Sequence, residues 1–392
     1  MNEIRSLQGE EMLDALYNLN MYAFHASPPF PDKEEWAEIV RQRRGVTYHA
    51  LFEDGTAAAG AASTAMTQNV RGKLYPASAV WGVATRPAAR RNGYCTQTMA
   101  SLLRAESAAG KVFSALYPFR ESFYQRQGYV TFPLPAIARL SPLSLAPLVG
   151  RNTGGEVDLK MSGEAFEGYR EFLARMRRGM HGMGFFDVGD KHVADRNRLW
   201  MAFARFDGEV EGMMVYTLQG EEVSKFNLCA YRFYYTTSRG RYLLLDWIAR
   251  HTDQADRVEI WLSPMEHPET WLEDIQVRVE SQVRAPMGRV LNVAGTGGMD
   301  AEAGSFRAHI TDRLCPFNEG DWLFKSVDGR LQVTKTDGAD CEFSIQGLAA
   351  LMFGTHDPAD FAWRGWGNPP QEVQDVMRGM FPPKLPFLHE NF

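Results

Sequence analysis

Two arginines and a glycine stand between an apolar run and a helical pattern. The run ends at Thr85, and Arg90, Arg91 and Gly93 occupy the turn that follows. Apolar residues then recur at helical spacing at Met99, Leu102 and Leu103. The N–H groups at the start of such a helix, beginning with Tyr94, point with the two guanidinium groups at one spot, which suits a pyrophosphate. The same residues could instead form a surface turn with solvated arginines.

Composition limits the class of protein. The 392 residues suffice for two or three domains, and 45% of them are hydrophobic, which supplies ample core material. A net charge of −6 gives no basic field for nucleic acid or an anionic membrane. Four scattered cysteines have no metal-ligand spacing, so no metal is expected. With a polar N-terminus and no long apolar run, we expect a soluble cytoplasmic protein.

The predicted elements fall into three segments. Residues 1–145 alternate helices with strands, which is typical of an α/β layer architecture, and end in a proline-rich stretch, residues 133–147, that we interpret as a linker. Residues 146–292 repeat this order without the spaced arginine–glycine turn, so we expect a structural copy that binds no cofactor. Residues 293–392 contain alternating strands, two helices and a tail stiffened by prolines.

Specific motifs in these segments resemble a known family. The run Arg90-Arg91-Asn92-Gly93-Tyr94-Cys95 is similar to the cofactor motif of the GNAT acyl-CoA N-acyltransferases, although Cys95 replaces the usual Gly or Ala. The segment Arg120-Glu-Ser-Phe-Tyr-Gln-Arg-Gln-Gly-Tyr129 resembles their Tyr-x-x-x-Gly-Tyr/Phe pattern. A second GNAT-like segment and a third that resembles sterol carrier proteins, with an aromatic C-terminal residue, match the order of the Eis (enhanced intracellular survival) family.

The resemblance implies a fold and an activity. The fold would be α/β (α+β), with tandem GNAT-like domains at 1–145 and 146–292 and a sterol-carrier-protein-like domain at 293–392. The activity would be an acetyl-CoA-dependent N-acetyltransferase acting on amines of aminoglycosides, polyamines or lysine side chains. The protein would assemble as a homo-oligomer, specifically a hexamer.

The resemblance also assigns roles to residues. The backbone at Val83, Ala84 and Thr85 would pair with pantetheine and polarise the thioester carbonyl, and Arg90, Arg91, Gly93 and Tyr94 would bind the pyrophosphate. Tyr124 would be the general acid, because a phenol is protonated at neutral pH. The α-carboxylate of Phe392 would be the general base. The acceptor amine would lie among four side chains, Phe24, Phe30, Trp36 and Glu390.

Two other functions remain open on sequence alone. The third domain could carry an apolar ligand, in which case the chain would be a binding protein. Alternatively, the first domain could be a degenerate acyltransferase within a regulatory protein. Each of the named side chains also has a simpler interpretation: Tyr124 and the aromatic residues as core, and the tail as packing.

Overall fold

The computed structural model describes residues 2–25, 27–43, 45–188, 199–222, 225–282, 284–390 and 392. Contacts divide the chain into two compact units. One unit combines Met1–Phe132, Met180–Val188 and Pro286–Phe392, and the other combines Pro133–Gly179 and Gly189–Ala285. Residues 133–145, which we placed in the first domain, therefore belong to the second unit.

The helices and strands are numbered in chain order. The N-terminal elements are β1 (Asn2–Leu7), α1 (Gly9–Asn20), α2 (Lys33–Gln42), β2 (Val46–Glu53), β3 (Thr56–Val70), β4 (Lys73–Thr85), α3 (Tyr94–Ala108), β5 (Phe113–Leu116), α4 (Glu121–Gln125) and β6 (Val130–Thr131). Next come β7 (Ala136–Leu140), β8 (Glu156–Met161), α5 (Ser162–Gly179), β9 (Gly184–Phe186), β10 (Trp200–Phe206), β11 (Glu209–Glu222), β12 (Lys225–Tyr235), α6 (Ser238–Ala249), β13 (Ala255–Leu262) and β14 (Val277–Ser281). The last are β15 (Met287–Val290), β16 (Ser305–Thr311), β17 (Gly320–Val327), β18 (Arg330–Lys335), β19 (Cys341–Ser344), α7 (Ile345–Phe353), α8 (Asp360–Arg364) and α9 (Gln371–Met380).

An eight-stranded sheet organises the first unit. Its order is β1-β2-β3-β4-β5-β15-β6, and β9 pairs with the last part of β3. Strands β1 to β4 are antiparallel, whereas β4 and β5 are parallel. Adjacent residues of a strand face opposite sides of the sheet. Accordingly, Ala62 packs in a core with α1 and α2, and Ala61 packs in a core with α3.

The second unit repeats this topology. Strand β8 and helix α5 precede three antiparallel strands, β10 to β12, and α6 then leads to β13, which is parallel to β12. The stretch that we interpreted as a linker instead contributes β7, which pairs with both β13 and β14. That prediction was wrong because the prolines fall outside β7, so none of them removes a donor from the strand ladder.

The C-terminal domain continues the core of the first unit. Its four-stranded sheet has the order β18-β17-β16-β19. Helix α7 is almost entirely buried, and Phe353 at its end packs on Phe113 and Phe132 with ring centroids 5.4 and 4.8 Å apart. The apolar face of this domain is therefore covered by the first sheet. Among the described residues, no helix combines the length and apolar character needed to span a bilayer.

Candidate active site

The site begins where β5 leaves β4. Their parallel pairing covers only Ala77–Val80 and Phe113–Leu116. The last residues of β4 extend beyond it, so Ala84 and Thr85 pair with β3 on one side, and no described strand pairs with them on the other. Backbone groups along this edge are free to bind an extended ligand that carries amide groups, because each strand residue supplies one donor and one acceptor.

A bulge lies at the same edge. Two β4 residues, Gly82 and Val83, stand opposite the single β3 residue Ala61. Gly82 has φ +60°, which a side chain would strain. A bulge leaves its extra residue outside the regular ladder, so a backbone N–H here can point at a ligand carbonyl. This geometry fits the polarising role predicted for Val83, Ala84 and Thr85.

The arginine turn forms an open helix N-terminus. Gly93 is the N-cap of α3 with φ +76°, and no side chain caps the helix. Arg90 and Arg91 are exposed, and neither is paired with a carboxylate of the described chain. The free N–H groups and the guanidinium groups therefore remain available to an anion. The side-chain hydroxyl of Tyr94 donates to Glu53 at 2.7 Å, so the backbone N–H of Tyr94 is the group that can face the anion.

Replacing both Arg90 and Arg91 with alanine is expected to raise KM for acetyl-CoA by about 10- to 100-fold, with a smaller effect on kcat, because charge-assisted bonds to phosphate are lost. Steady-state kinetics over a range of acetyl-CoA concentrations checks this. The matched control is Arg313→Ala, which removes an exposed arginine elsewhere in the unit. An unchanged KM in the double variant would contradict the assignment.

Tyr124 lies on α4 with its ring in the core beneath α3. The side chain is buried and shares a cluster with Val83 and Cys95, so the structure brings three parts of the predicted site together. Its ring packs edge-on against Phe123 and Phe119, with centroids 5.0 and 5.7 Å apart. Among the described residues, its hydroxyl has no hydrogen-bond partner.

Burial controls protonation around Tyr124. Burial, and to a lesser degree the neighbouring Cys95 and Tyr129, raises the pKa of Tyr124 well above its usual value. Burial also raises the pKa of the Cys95 thiol to about 11, against an opposing hydrogen bond with Thr85. Both groups are therefore protonated at neutral pH, and Tyr124 can donate a proton.

The C-terminal tail lies along β9. The N–H of Glu390 donates to the carbonyl of Gly184 at 3.1 Å, and its carboxylate accepts from the N–H of Phe186 at 3.0 Å. The aromatic ring of Phe392 packs on Tyr117 and Phe186, with centroids 5.7 and 5.8 Å apart. Because Tyr117 directly follows β5, the tail reaches the end of the sheet where β4 and β5 diverge.

The aromatic residues predicted for the acceptor lie in different settings. Trp36 is half-buried between α1 and α2, where it packs edge-on against Tyr17 at 5.3 Å, which is a core contact. Phe24 and Phe30 are exposed. Within the described ranges, no ring contact joins either of them to Tyr124 or Phe392.

Phe119 is a site residue that the sequence reasoning missed. Its side chain is 72% exposed although it packs against the buried ring of Tyr124. The available signal was position: Phe119 follows the carboxyl end of β5, and ligands of open α/β sheets bind at the carboxyl ends of strands. Among the described residues, no group of three or more His, Cys, Asp or Glu side chains is placed to hold a metal ion.

His181 anchors the base of the tail. Its Nδ1 accepts from the N–H of Arg71 at 3.0 Å, its Nε2 donates to the carbonyl of Phe353 at 3.0 Å, and its own carbonyl accepts from Phe387. This arrangement requires the neutral imidazole. Burial lowers the pKa of His181 to about 3.

Acid is therefore expected to weaken the fold through His181. Between about pH 6.5 and 3 the unfolded chain binds a proton that the folded chain excludes, so the free energy of unfolding falls by up to roughly 1.4 kcal/mol per pH unit. Urea unfolding near pH 7.5 and pH 5 measures this difference. His181→Gln keeps a donor and an acceptor but does not titrate, so its stability should vary less with pH. Equal pH dependence in both proteins would exclude the assignment.

The second unit has a different arrangement at the corresponding strand end. Phe233 of β12 stacks on Trp271 with centroids 5.7 Å apart. Arg241, in the first turn of α6, lies over the same indole at 5.7 Å. Aromatic rings and an arginine stem thus cover the carboxyl end of β12, whereas the edge of β4 is left without a partner strand.

Comparisons with known proteins agree with this geometry. Residues 3–132 match the acetyltransferase (GNAT) domain family, and residues 295–388 match the sterol carrier protein domain family. Residues 3–132 therefore resemble a GNAT acetyltransferase domain, and the fold of the whole chain is similar to that of an Eis protein. Eis1 from Mycobacterium abscessus is similar over 100% of both chains, with 17% identity and a TM-score of 0.78. No curated protein sequence matches the chain.

Other solved structures share the whole GNAT-containing fold. A probable N-acyltransferase from Enterococcus faecalis is 18% identical, with a TM-score of 0.84 over 100% of both chains. A GCN5-related N-acetyltransferase from Anabaena variabilis is 18% identical, with a TM-score of 0.82 over 99% of both chains. The predicted α/β fold class, with a GNAT domain and a sterol-carrier-protein-like domain, is confirmed, and the predicted resemblance to Eis proteins holds for the fold.

Proposed function

We propose that this protein transfers the acetyl group of acetyl-CoA to an amine. The observation that carries the proposal is the convergence of three features at one sheet edge: the open strand end at Val83, the uncapped N-terminus of α3, and the buried phenol of Tyr124. These features fit the donor, because its pyrophosphate needs N–H and guanidinium donors and its pantetheine arm needs a free strand edge.

Each group has a defined part in the reaction. The amine nitrogen attacks the thioester carbonyl carbon, the backbone N–H groups near Val83 stabilise the negative charge on the carbonyl oxygen, and the C–N bond forms. The C–S bond then breaks, and Tyr124 donates its proton to the sulfur. The α-carboxylate of Phe392 accepts the proton that the amine nitrogen loses, directly or through water. The Phe392 carboxyl group then releases its proton to solvent, and solvent reprotonates Tyr124.

We propose a cationic amine as the acceptor class, which includes aminoglycosides, polyamines and lysine side chains. Phe24, Phe30 and Trp36 would supply apolar and cation–π contacts. Glu390 would add negative charge near the end of the tail. We further propose that the protein acts in the cytoplasm as a homo-hexamer. Light scattering tests the assembly, since a mass near the 44.2 kDa of one chain would contradict it.

Release of free thiol from acetyl-CoA in the presence of an amine panel tests the function. The panel comprises aminoglycosides, linear polyamines, a lysine-containing peptide and their fully N-acetylated counterparts as controls. We expect amine-dependent thiol release and a mass increase of one acetyl group on the acceptor. Acetyl-CoA binding without transfer to any amine would contradict the proposal. We do not propose the carrier alternative, because the apolar side of the C-terminal domain packs on the first sheet.

A further inference from the structure

A fully buried ion pair lies behind the helix that carries Tyr124. Arg289, on β15, is 0% exposed, and its Nη2 donates to both carboxylate oxygens of Asp312 at 2.7 Å. Asp312 also accepts from the N–H groups of Leu314 and Cys315 at 3.3 and 3.2 Å. These backbone groups orient the Asp312 carboxylate, and its two bonds from Nη2 hold one end of the guanidinium group.

The same guanidinium holds the turn after Tyr124. Its Nη1 donates to the carbonyl of Gln127. The N–H groups of Gln127 and Tyr129 both donate to the carbonyl of Tyr124, at 2.9 and 3.2 Å. One hydrogen-bonded chain thus runs from Asp312 through Arg289 and the Gln127–Tyr129 turn to the backbone of Tyr124.

Two further observations show that this contact is specific. Gly128 has φ +93°, and a Cβ atom there would lie 1.6 Å from Nη1 of Arg289, so the turn is shaped to admit the guanidinium. Separately, the side-chain amide of Gln346, on α7, donates to the carbonyl of Gln125 at 2.8 Å. The C-terminal domain and β15 therefore hold the end of α4 and the turn after it at two carbonyl groups, those of Gln125 and Gln127.

We propose that Arg289, oriented by Asp312, is a positioning residue that aims the Tyr124 phenol at the leaving sulfur, with Gln346 as a second tether. The inference rests on the proposed acetyl transfer and assigns the C-terminal domain a part in it. Since general acid catalysis depends on placement within hydrogen-bond reach, loosening α4 lowers kcat while leaving donor binding at the β4 edge in place.

The test uses a neutral pair variant, Arg289→Gln with Asp312→Asn, which leaves no unpaired buried charge. We expect kcat to fall about 10- to 100-fold with KM for acetyl-CoA nearly unchanged. On a Tyr124→Phe background the same pair should cause almost no further loss, because residues that act through one group are not additive. An equal loss on both backgrounds, or full kcat in the folded pair variant, would overturn the proposal.

Three controls separate positioning from folding and from the function itself. The ion pair of Arg378 with Asp357, at 2.6 and 2.8 Å, lies in the C-terminal domain, and its neutral pair variant should keep kcat. If the Arg289 pair variant does not fold, Gln346→Ala replaces it, and unchanged kcat there overturns the proposal. Hydrogen exchange at the amides of Gln127 and Tyr129 should be faster in the Arg289 pair variant than in the wild type, and this readout needs no acceptor. If the proposed function is wrong, the wild type itself transfers no acetyl group.

Discussion

Replacing Tyr124 with phenylalanine is expected to lower kcat for acetyl transfer by about 100-fold or more and to leave KM for acetyl-CoA within a few-fold. The substitution keeps the buried ring and its contacts with Phe119 and Phe123 but removes the proton donor. Without it, the sulfur must leave as a thiolate in a partly desolvated site. Steady-state and single-turnover kinetics measure the chemical step.

Two comparisons make this result specific to the acid role. Tyr75→Phe is the matched control: its buried hydroxyl donates to the carbonyl of Thr296 at 2.6 Å, so the variant tests loss of a structural phenol. In the wild type, ionisation of Tyr124 should cause no decrease in kcat below about pH 10. The reason is that burial raises the pKa of this phenol above its ordinary value. Full activity in Tyr124→Phe would exclude the acid assignment.

Adding a few glycine residues after Phe392 is expected to lower kcat by roughly 100-fold, since the α-carboxylate is replaced by an uncharged peptide group at the same place. The tail should stay docked, because its hydrogen bonds to Gly184 and Phe186 and the burial of Leu388 are unaffected. Thermal unfolding should therefore change little. Steady-state kinetics of the extended and native proteins gives the comparison.

The controls for the tail separate charge from packing. The same glycine extension placed before Met1 should have no effect on kcat, because β1 begins at the exposed Asn2. Phe392→Ala keeps the carboxylate but loses the contacts with Tyr117 and Phe186, so its loss should be smaller than that of the extension. An extended protein with native kcat would show that the base lies elsewhere.

Local patterns in the sequence were sufficient to predict the helix and the strand that carry the cofactor part of the site. The helical spacing after Gly93 predicted α3, and the apolar run that ends at Thr85 corresponds to β4, which ends at the same residue. In these elements the hydrophobic spacing and the local turn residues indicate the same boundaries, so a short stretch of sequence is sufficient to predict the element. Strand β7 was not predicted because we considered only the number of prolines in this stretch. None of them lies within the strand, where a proline would remove a hydrogen-bond donor.

Non-local features could not be predicted in this way. The hydroxyl of Tyr94 binds Glu53, a residue on another strand, so the motif around Gly93 could not show which way this side chain turns. The buried pair of Arg289 and Asp312 joins β15 to the segment after β16. Both depend on which elements pack together, whereas spacing reports only the face of a single element.

The position of β15 also affects how the chain is made. This strand lies between β5 and β6, yet it follows the entire second unit in the sequence. During synthesis, β5 and β6 leave the ribosome long before Met287–Val290, so the position between them in the first sheet is unfilled while the second unit emerges. A nascent chain halted before residue 287 therefore presents two unpaired strand edges to chaperones and to other chains. A truncated protein that ends at Phe132 would lack β15 for the same reason, so its sheet would be incomplete.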